Sequence, residues 1–132
     1  MFDYTDLLGK PFELGTRGPD KFDCWGICLE LGKRVGLYYP MDFTPKYTDL
    51  QDEVIKFRRD TDFIKIEKPE PFCIATFSMT PPFVDHCGFV LEDCKHFIHI
   101  LKNHSVTKQR LDNRILAKRM QGFYRLKDNG NN

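Results

Sequence analysis

Apolar residues recur at helical spacing in one segment near the start of the chain. Over residues 24–35 they return every three or four positions, which predicts an amphipathic helix. Asp23 comes just before this segment and is a good N-cap, because its carboxylate can accept hydrogen bonds from the unpaired amides of the first turn. Gly36 follows the segment and is typical of the residue that ends a helix. A short helical turn is predicted over residues 4–9, and a loop over residues 15–19.

Further along the chain, helical spacing alternates with short β-prone runs. Two more helices are predicted, over residues 47–59 and 109–119. Five runs have the apolar and aromatic character of strands, at 63–66, 72–77, 86–91, 95–101 and 122–126. The third and fourth runs flank a short polar connection and predict a hairpin. A helix followed by a mostly antiparallel sheet is an α+β pattern rather than an alternation of βαβ units.

Size and charge narrow the classes of protein that fit. The chain has 132 residues, which suits one domain. We expect this domain to span residues 1–127 and the polar tail over 128–132 to be frayed and flexible. The net charge is +1, so no excess of basic residues points to a nucleic-acid partner. The densest basic stretch, within residues 108–119, is expected to be the solvated face of the third predicted helix.

Neither a membrane span nor an export signal is predicted. No apolar run approaches the roughly 20 residues that a membrane-spanning helix needs. The first residues lack a basic segment followed by an apolar one, so no signal peptide is expected. We therefore expect synthesis in the cytoplasm, and any later export by another route, such as lysis or packaging into a larger particle.

The chain has five cysteines, an odd number that does not favour a disulfide framework. Reduced thiols are expected, and the four besides Cys24 are expected to be packing residues: Cys28, Cys73, Cys87 and Cys94. A zinc site formed by Cys28, His86, Cys87 and His99 is the lesser alternative. The spacing of those residues matches no familiar structural zinc motif, so neither a metal nor an organic cofactor is expected.

Cys24 stands in the first turn of the first predicted helix, where a thiol is easily activated. Unpaired amides and the helix dipole lower the pKa of a thiol at this position. The same amides, including that of Cys24 itself, can stabilise an oxyanion. On this segment alone, a buried and inert cysteine is an equally good interpretation.

A thiolate nucleophile needs a base, and the base needs a partner that orients it. If the predicted hairpin turns on Glu92 and Asp93 alone, His86 lies directly opposite His99 on the same face, with Cβ atoms about 4.5–5.5 Å apart. A plain three-residue loop would turn His99 to the other face, unless a bulge restored the pairing. His96 does not fit such a pair.

Two groups of segments carry a family resemblance. The first group is Gly9-Lys10-Pro11-Phe12, Gly18-Pro19 and Phe22-Asp23-Cys24-Trp25-Gly26, and the second is Phe72-Cys73-Ile74-Ala75-Thr76-Phe77, Asp85-His86-Cys87-Gly88-Phe89-Val90-Leu91 and Phe97-Ile98-His99. In order and separation, they resemble the NlpC family of papain-like cell-wall peptidases, over residues 8–125. The resemblance implies that Cys24 attacks an amide carbonyl, that His86 is the general base and that His99 orients His86. It also implies a papain-like fold, with the helix that bears the nucleophile packed on a small antiparallel sheet.

The resemblance further implies the substrate and its surroundings. Substrate contacts are implied for Asp23, for Trp25, which is otherwise a core residue, and for Phe12, which stands where many members have a tyrosine. The implied reaction is cleavage of peptidoglycan stem peptides beside a γ-linked D-glutamate. Trp25, the absence of a signal peptide and residues 122–125 look most like the branch found in bacteriophage tails and prophages. This branch implies phage tail proteins as partners and the virion tail as a location.

Two alternatives stay open on the same fold. One is a structural or plug component of a phage tail that has kept the fold without the activity. The other is an acyltransferase that uses the same three residues and passes the acyl group to an acceptor other than water.

Overall fold

The computed structural model describes residues 2–40, 63–81 and 84–127, which contain two helices and six strands. In chain order they are α1 (Cys24–Arg34), β1 (Phe63–Ile66), β2 (Ile74–Phe77), β3 (His86–Val90), β4 (His96–His99), β5 (Thr107–Arg110), α2 (Arg114–Ala117) and β6 (Met120–Leu126). The helix predicted over residues 47–59 and the tail over 128–132 lie outside the described residues. None of the helices in the described ranges is long and apolar enough to cross a membrane.

Local signals at both ends define α1, as the sequence predicts. At its start, the carboxylate of Asp23 accepts a hydrogen bond from the amide of Gly26 at 2.6 Å, so Asp23 is the N-cap. At its end, Gly36 has a φ of +82°, and the amide of Leu37 donates to the carbonyl of Gly32 at 2.8 Å. This is a Schellman-type end, in which glycine takes the left-handed conformation that other residues disfavour. Both ends of the first helix are therefore fixed by neighbouring residues.

The six strands form one sheet in the order β1-β6-β2-β3-β4-β5, and the neighbouring strands pair antiparallel. The strand β6 lies between β1 and β2, although it follows all the other described strands in the chain. A helix followed by an antiparallel sheet confirms the α+β prediction. The predicted strands at 63–66, 72–77 and 122–126 correspond to β1, β2 and β6.

The two faces of the sheet bury different side chains, because residues alternate along each strand. Cys87 and Phe89 of β3 lie in the cluster that contains Trp25 of α1. Val90 of β3 lies in a second cluster, together with Leu116 of α2. The helix α1 therefore packs on one face of the sheet and α2 on the other.

The hairpin between β3 and β4 exists, but the predicted two-residue turn is wrong. Val90 pairs with Phe97, which is two residues further along β4 than the predicted partner. The connection has four residues, 92–95, and is closed by a hydrogen bond from the amide of Leu91 to the carbonyl of His96 at 2.9 Å. Because the register differs by two residues rather than one, each side chain stays on its predicted face.

Side-chain hydrogen bonds within the connection explain its length. The carboxylate of Asp93 accepts hydrogen bonds from the amides of Lys95 and His96, at 2.8 and 3.0 Å. A second oxygen of Asp93 lies 2.6 Å from Nδ1 of His96. Cys94 has a φ of +58°, in the left-handed region. Asp93 thus folds the backbone around its own carboxylate, a preference of aspartate that a tight two-residue turn does not use.

The helix predicted over residues 109–119 is also wrong. Residues up to Arg110 belong to the strand β5, which pairs with β4 at the edge of the described sheet. Only Arg114–Ala117 are helical. The side chain of Asn113 accepts hydrogen bonds from the amides of Ile115 and Leu116, both at 3.1 Å, so the segment starts a new helix at Asn113. The basic residues of this segment are therefore divided between an edge strand and a short helix.

Candidate active site

His86 and His99 form a hydrogen-bonded pair on the sheet. Nε2 of His86 lies 2.8 Å from Nδ1 of His99. The two side chains are buried, with 1% and 4% of their surface exposed. In the observed register His99 lies opposite Gly88 rather than opposite His86. The contact is therefore diagonal, and both rings still share one face because the register differs from the predicted one by an even number.

Gly88 provides the space that this diagonal contact needs. A Cβ atom on Gly88 would lie 3.2 Å from Cβ of His99 and 2.6 Å from Cδ2 of Phe97. Phe97 is fully buried, so its ring has little room to move. A side chain at position 88 would therefore displace the strand segment that carries His99.

Aromatic rings surround the pair and keep water away from it. The ring of Phe77 lies 5.5 Å from that of His86, and the ring of Phe97 lies 4.6 Å from that of His99. Burial, and then the proximity of His99, lower the pKa of His86 well below its ordinary value. Burial is also the first cause that lowers the pKa of His99, to about 4. Both imidazoles are therefore neutral at neutral pH.

The second ring nitrogen of His86 is not used by the fold. Nδ1 of His86 is buried and has no hydrogen-bond partner among the described residues. Buried polar atoms usually have partners, and one that lacks them at a site of this kind calls for an explanation. With Nε2 held by His99, Nδ1 is the atom of His86 that remains able to exchange a proton.

Cys24 begins α1 and is held against the strand that carries His86. The thiol of Cys87, the residue after His86, lies 3.7 Å from the carbonyl oxygen of Cys24. Cys24 itself is 2% exposed. The start of α1 therefore meets β3 at Cys87, the residue next to His86 on that strand.

The pKa of Cys24 moves in the direction opposite to the expectation from the sequence. The neighbouring Cys87 thiol, followed by burial, raises the pKa of Cys24 well above its ordinary value. These effects outweigh the amides of the helix start, which favour the thiolate. In the resting protein Cys24 is therefore a neutral thiol.

Asp23 ties the start of α1 to the preceding loop. One carboxylate oxygen accepts hydrogen bonds from the amide of Gly26 at 2.6 Å and from the guanidinium of Arg17 at 3.0 Å. The other oxygen accepts a hydrogen bond from the amide of Gly15 at 3.0 Å. The side chain is 1% exposed. The cap is confirmed, and its carboxylate is fully engaged within the protein.

Trp25 lies in the core of the protein. It is 2% exposed, and its Nε1 donates a hydrogen bond to the carbonyl of Pro40 at 2.8 Å. Its ring lies 5.7 Å from the ring of Tyr39 and 6.2 Å from that of Phe63. This environment favours the packing interpretation of Trp25 over the wall of a substrate cleft.

Phe12 is placed by a backbone bridge close to the start of α1. It pairs with Phe22, two residues before Cys24. Its amide also donates to the carbonyl of His104 at 3.1 Å. The side chain is half-buried against the cluster that contains α1. Phe12 therefore borders the segment that leads into Cys24, in line with the expected neighbourhood.

Cys87 is predicted from the sequence to be an inert packing residue, and its contact with Cys24 is not predicted. The only indication of this contact in the sequence is that Cys87 directly follows His86, the proposed base. All five cysteines are free thiols, and Cys24, Cys28 and Cys87 lie in one buried cluster. No group of three or more potential metal ligands comes together within the described residues.

The fold of this chain, a helix packed on an antiparallel sheet, is similar to that of solved NlpC/P60 proteins. NlpC1 from Trichomonas vaginalis is 24% identical over 92% of this chain and 41% of its own, with a TM-score of 0.64. NlpC2 from the same organism is 21% identical over 92% of this chain and 44% of its own, with a TM-score of 0.65. An NlpC/P60 family protein from Bacillus cereus is 19% identical over 90% of this chain and 36% of its own, with a TM-score of 0.66.

The likeness is one of structure. No protein-family model and no curated protein matches the sequence. The chain spans less than half the length of each of these three solved proteins. The comparison therefore establishes the NlpC/P60 fold, and the activity has to be argued from the residues of the site.

Proposed function

We propose that this chain is a cysteine hydrolase that cleaves amide bonds, with Cys24 as nucleophile, His86 as general base and His99 as the residue that orients His86. The observation that carries the proposal is the 2.8 Å contact between the two histidines. It uses Nε2 of His86 and leaves the buried Nδ1 without a partner in the described part of the chain. A base oriented through one nitrogen and free at the other is what a thiol nucleophile requires.

The proposed role fixes the tautomer of each ring. For His86 to accept a proton at Nδ1, its own proton must sit on Nε2, where it is donated to Nδ1 of His99. His99 then carries its proton on Nε2. The low pKa values of both rings agree with this neutral arrangement. Once His86 is protonated, the hydrogen bond to His99 becomes charge-assisted and stabilises the imidazolium.

The reaction proceeds in two acyl-transfer steps. His86 takes the proton of the Cys24 thiol as the sulfur attacks the amide carbonyl. This transfer is needed because Cys24 and His86 are both neutral in the resting protein and do not form an ion pair. The amide of Cys24 at the start of α1 donates to the developing oxyanion. His86 passes its proton to the leaving amine. It then activates a water molecule, which releases the acyl group from Cys24.

For the substrate, we propose peptidoglycan stem peptides cut beside a γ-linked D-glutamate. The NlpC/P60 fold supports this class, since those peptidases are what the sequence segments resemble. Phe12 is proposed to border the substrate. Asp23 can contact a substrate amine only in competition with Arg17, its present partner. Association with phage tail proteins, and with it a location in the virion tail, rests on the sequence resemblance alone and stays a prediction.

Digestion of purified sacculi tests the proposal. Wild-type protein is expected to release peptide fragments, identified by chromatography and mass spectrometry, and Cys24→Ala to release none. Cys94→Ala is the matched control, because Cys94 lies in the loop between β3 and β4 and is only half-buried. If the wild type releases no fragments from sacculi of several stem-peptide types, cell-wall hydrolysis is contradicted.

A second candidate, a structural component that has kept the fold, is favoured by one observation. Cys24 is 2% exposed and its pKa is raised, which is typical of an inert thiol. Alkylation of the folded protein near neutral pH separates the two candidates. Selective labelling of Cys24 over the other four thiols supports the enzyme. Equal and slow labelling of all five supports the structural component.

A further inference from the structure

The buried cluster of thiols beside the candidate nucleophile has no role in the proposed hydrolysis. Cys24, Cys28 and Cys87 are 2%, 0% and 4% exposed. Cys28 lies one helical turn after Cys24 on α1, and Cys87 faces α1 from β3. Three thiols in one dry cluster exceed what packing alone needs, since apolar side chains of similar size pack as well.

Cys87 is the thiol in contact with the nucleophile. Its sulfur lies 3.7 Å from the carbonyl oxygen of Cys24. The same Cys87 thiol is the first cause that raises the pKa of Cys24, and the Cys28 thiol in turn raises the pKa of Cys87. This contact places the Cys87 sulfur against the residue that carries the nucleophilic thiol, where α1 packs on β3.

We propose that Cys24 and Cys87 form a reversible oxidative pair, in which Cys87 traps the oxidised nucleophile as a disulfide. The regulatory meaning of the pair rests on the proposed function, because the disulfide would consume the nucleophile. Cys24 is the thiol that is oxidised first in this proposal, because the proposed function makes His86 the base that takes its proton. The proposed function assigns no such base to Cys28.

The oxidant is a hydroperoxide, such as hydrogen peroxide. His86 accepts the proton of Cys24, and the thiolate attacks one peroxide oxygen and breaks the O–O bond. The products are a sulfenic acid on Cys24 and hydroxide, which takes the proton back from His86 and leaves as water. The sulfur of Cys87 then attacks the sulfenic sulfur. The S–S bond forms, the S–O bond breaks, and the hydroxyl leaves as a second water with the proton of Cys87.

This sequence balances as two thiols and one peroxide giving one disulfide and two waters. Without Cys87, the sulfenic acid on Cys24 is left open to further oxidation to sulfinic acid, which thiols do not reverse. The pair thus converts a lasting loss of the nucleophile into one that a thiol reductant restores.

Peptide mapping of the oxidised full chain tests the pair. Wild-type protein is treated with hydrogen peroxide, its free thiols are alkylated, and digests are compared by tandem mass spectrometry with and without dithiothreitol. A cross-linked peptide that joins Cys24 to Cys87 and disappears on reduction is expected. Fragment ions that break between Cys24 and Cys28 assign the bond. A link from Cys28 to Cys87, or no link, overturns the proposal.

Variants of Cys87 and Cys28 test the pair separately from the mapping of the wild-type protein. In Cys87→Ala, Cys24 is expected to accumulate as sulfinic acid that dithiothreitol does not reverse, while Cys28→Ala keeps the cross-link. Cys87→Val fills the strand position if the alanine variant does not fold. Equal sulfinic acid on Cys24 in the wild type and in the Cys87 variant contradicts the pair. The mapping needs no hydrolase activity, so a protein that forms the link but digests no sacculi refutes the proposed function alone.

Discussion

Nε2 of His86 lies 2.8 Å from Nδ1 of His99, although the two residues are not opposite each other in the ladder of the sheet. The contact runs along the diagonal, across the position of Gly88. A diagonal pair on neighbouring strands reaches only when its side chains are long and nothing stands between them. The geometry of the candidate base is therefore set by the register of β3 and β4 and by the missing side chain at Gly88.

Removal of the orienting imidazole is expected to lower the rate without unfolding the protein. In His99→Ala, the ring of His86 loses the acceptor that fixes its tautomer, so we expect kcat to fall on the order of 10²-fold or more. His96→Ala is the matched control, because His96 lies on the same strand and is bonded to Asp93 outside the site. Turnover of a stem-peptide substrate gives kcat for each variant.

His99→Asn refines this test, since an amide oxygen can still accept a hydrogen bond from His86. We expect it to retain more activity than His99→Ala. A His99→Ala variant with wild-type kcat would show that the pair has no part in catalysis, and equal losses in the variants of His96 and His99 would point to a structural role.

Alanine at position 88 is expected to damage both stability and activity. In Gly88→Ala the new Cβ would meet Cδ2 of Phe97 at 2.6 Å and Cβ of His99 at 3.2 Å. Overpacking of this kind costs about 1–3 kcal/mol of unfolding free energy. In Gly122→Ala on β6 the nearest atom is the flexible Cε of Lys65 at 3.0 Å, so the cost should be smaller.

Urea unfolding and kcat, measured on both glycine variants, check this expectation. Gly88→Ala should lose more activity than its lost stability explains, because the strand segment with His99 has to move. A Gly88→Ala protein as stable and as active as the Gly122→Ala protein would contradict the spatial role of Gly88.

Loss of the Asp23 carboxylate is expected to loosen the start of α1. Asp23→Ala leaves the amides of Gly15 and Gly26 and the guanidinium of Arg17 without their acceptor. We expect a loss of roughly 2–4 kcal/mol in unfolding free energy, more than a simple cap contributes. Asp112→Ala is the control, because that carboxylate is exposed, and there we expect little change in stability.

Asp23→Asn separates the contribution of the helix cap from that of the contacts with Gly15 and Arg17. Asparagine keeps one acceptor for the cap but offers an amide group toward Gly15 or Arg17, so its stability should fall between wild type and Asp23→Ala. Denaturant unfolding of the three proteins measures the order. An Asp23→Ala protein as stable as Asp112→Ala would contradict the burial and bonding of the carboxylate.

Stability is expected to fall in mildly acidic solution because of the buried histidines. His99 has a pKa of about 4 in the folded protein, against an ordinary value of 6.5. Between these two pH values, the imidazole of His99 is protonated in the unfolded chain and neutral in the folded protein. The contribution of His99 is thus fully present above pH 6.5 and is lost as the pH falls toward the folded value. The loss is on the order of 3 kcal/mol at most.

The lowered pKa of His86 adds a loss in the same direction. Urea unfolding of wild type and His99→Asn as a function of pH isolates the part due to His99. The difference in unfolding free energy between the two proteins should change between pH 6.5 and about 4, and it should stay constant above pH 6.5. A difference that does not depend on pH would contradict a buried neutral His99.

Much of the fold could be predicted because its signals are local. Asp23 and Gly36 mark both ends of α1, and each uses a preference of its own residue type. The hairpin register could not be predicted in the same way. It depends on Asp93, which folds the backbone around its carboxylate and lengthens the connection. The histidine contact was nevertheless predicted, since an error of two residues leaves every side chain on its face.

The two other differences have non-local causes. Residues 109–119 have helical spacing, but pairing with β4 makes part of them a strand, and Asn113 starts a new helix. The pKa of Cys24 was misjudged because the Cys87 thiol reaches it from a strand far along the chain. Neither effect is visible in the local sequence, since both depend on which segments meet after folding.

The position of β6 has a consequence for how the protein is made. Because β6 pairs with both β1 and β2, neither strand has its partner on that side until residues 120–126 have left the ribosome. Until then, β2 exposes an unpaired edge next to the strand that carries His86. Such edges favour association between chains. The described sheet is therefore completed only after β6 has been synthesised, although β3 and β4, which carry the histidine pair, are made before it.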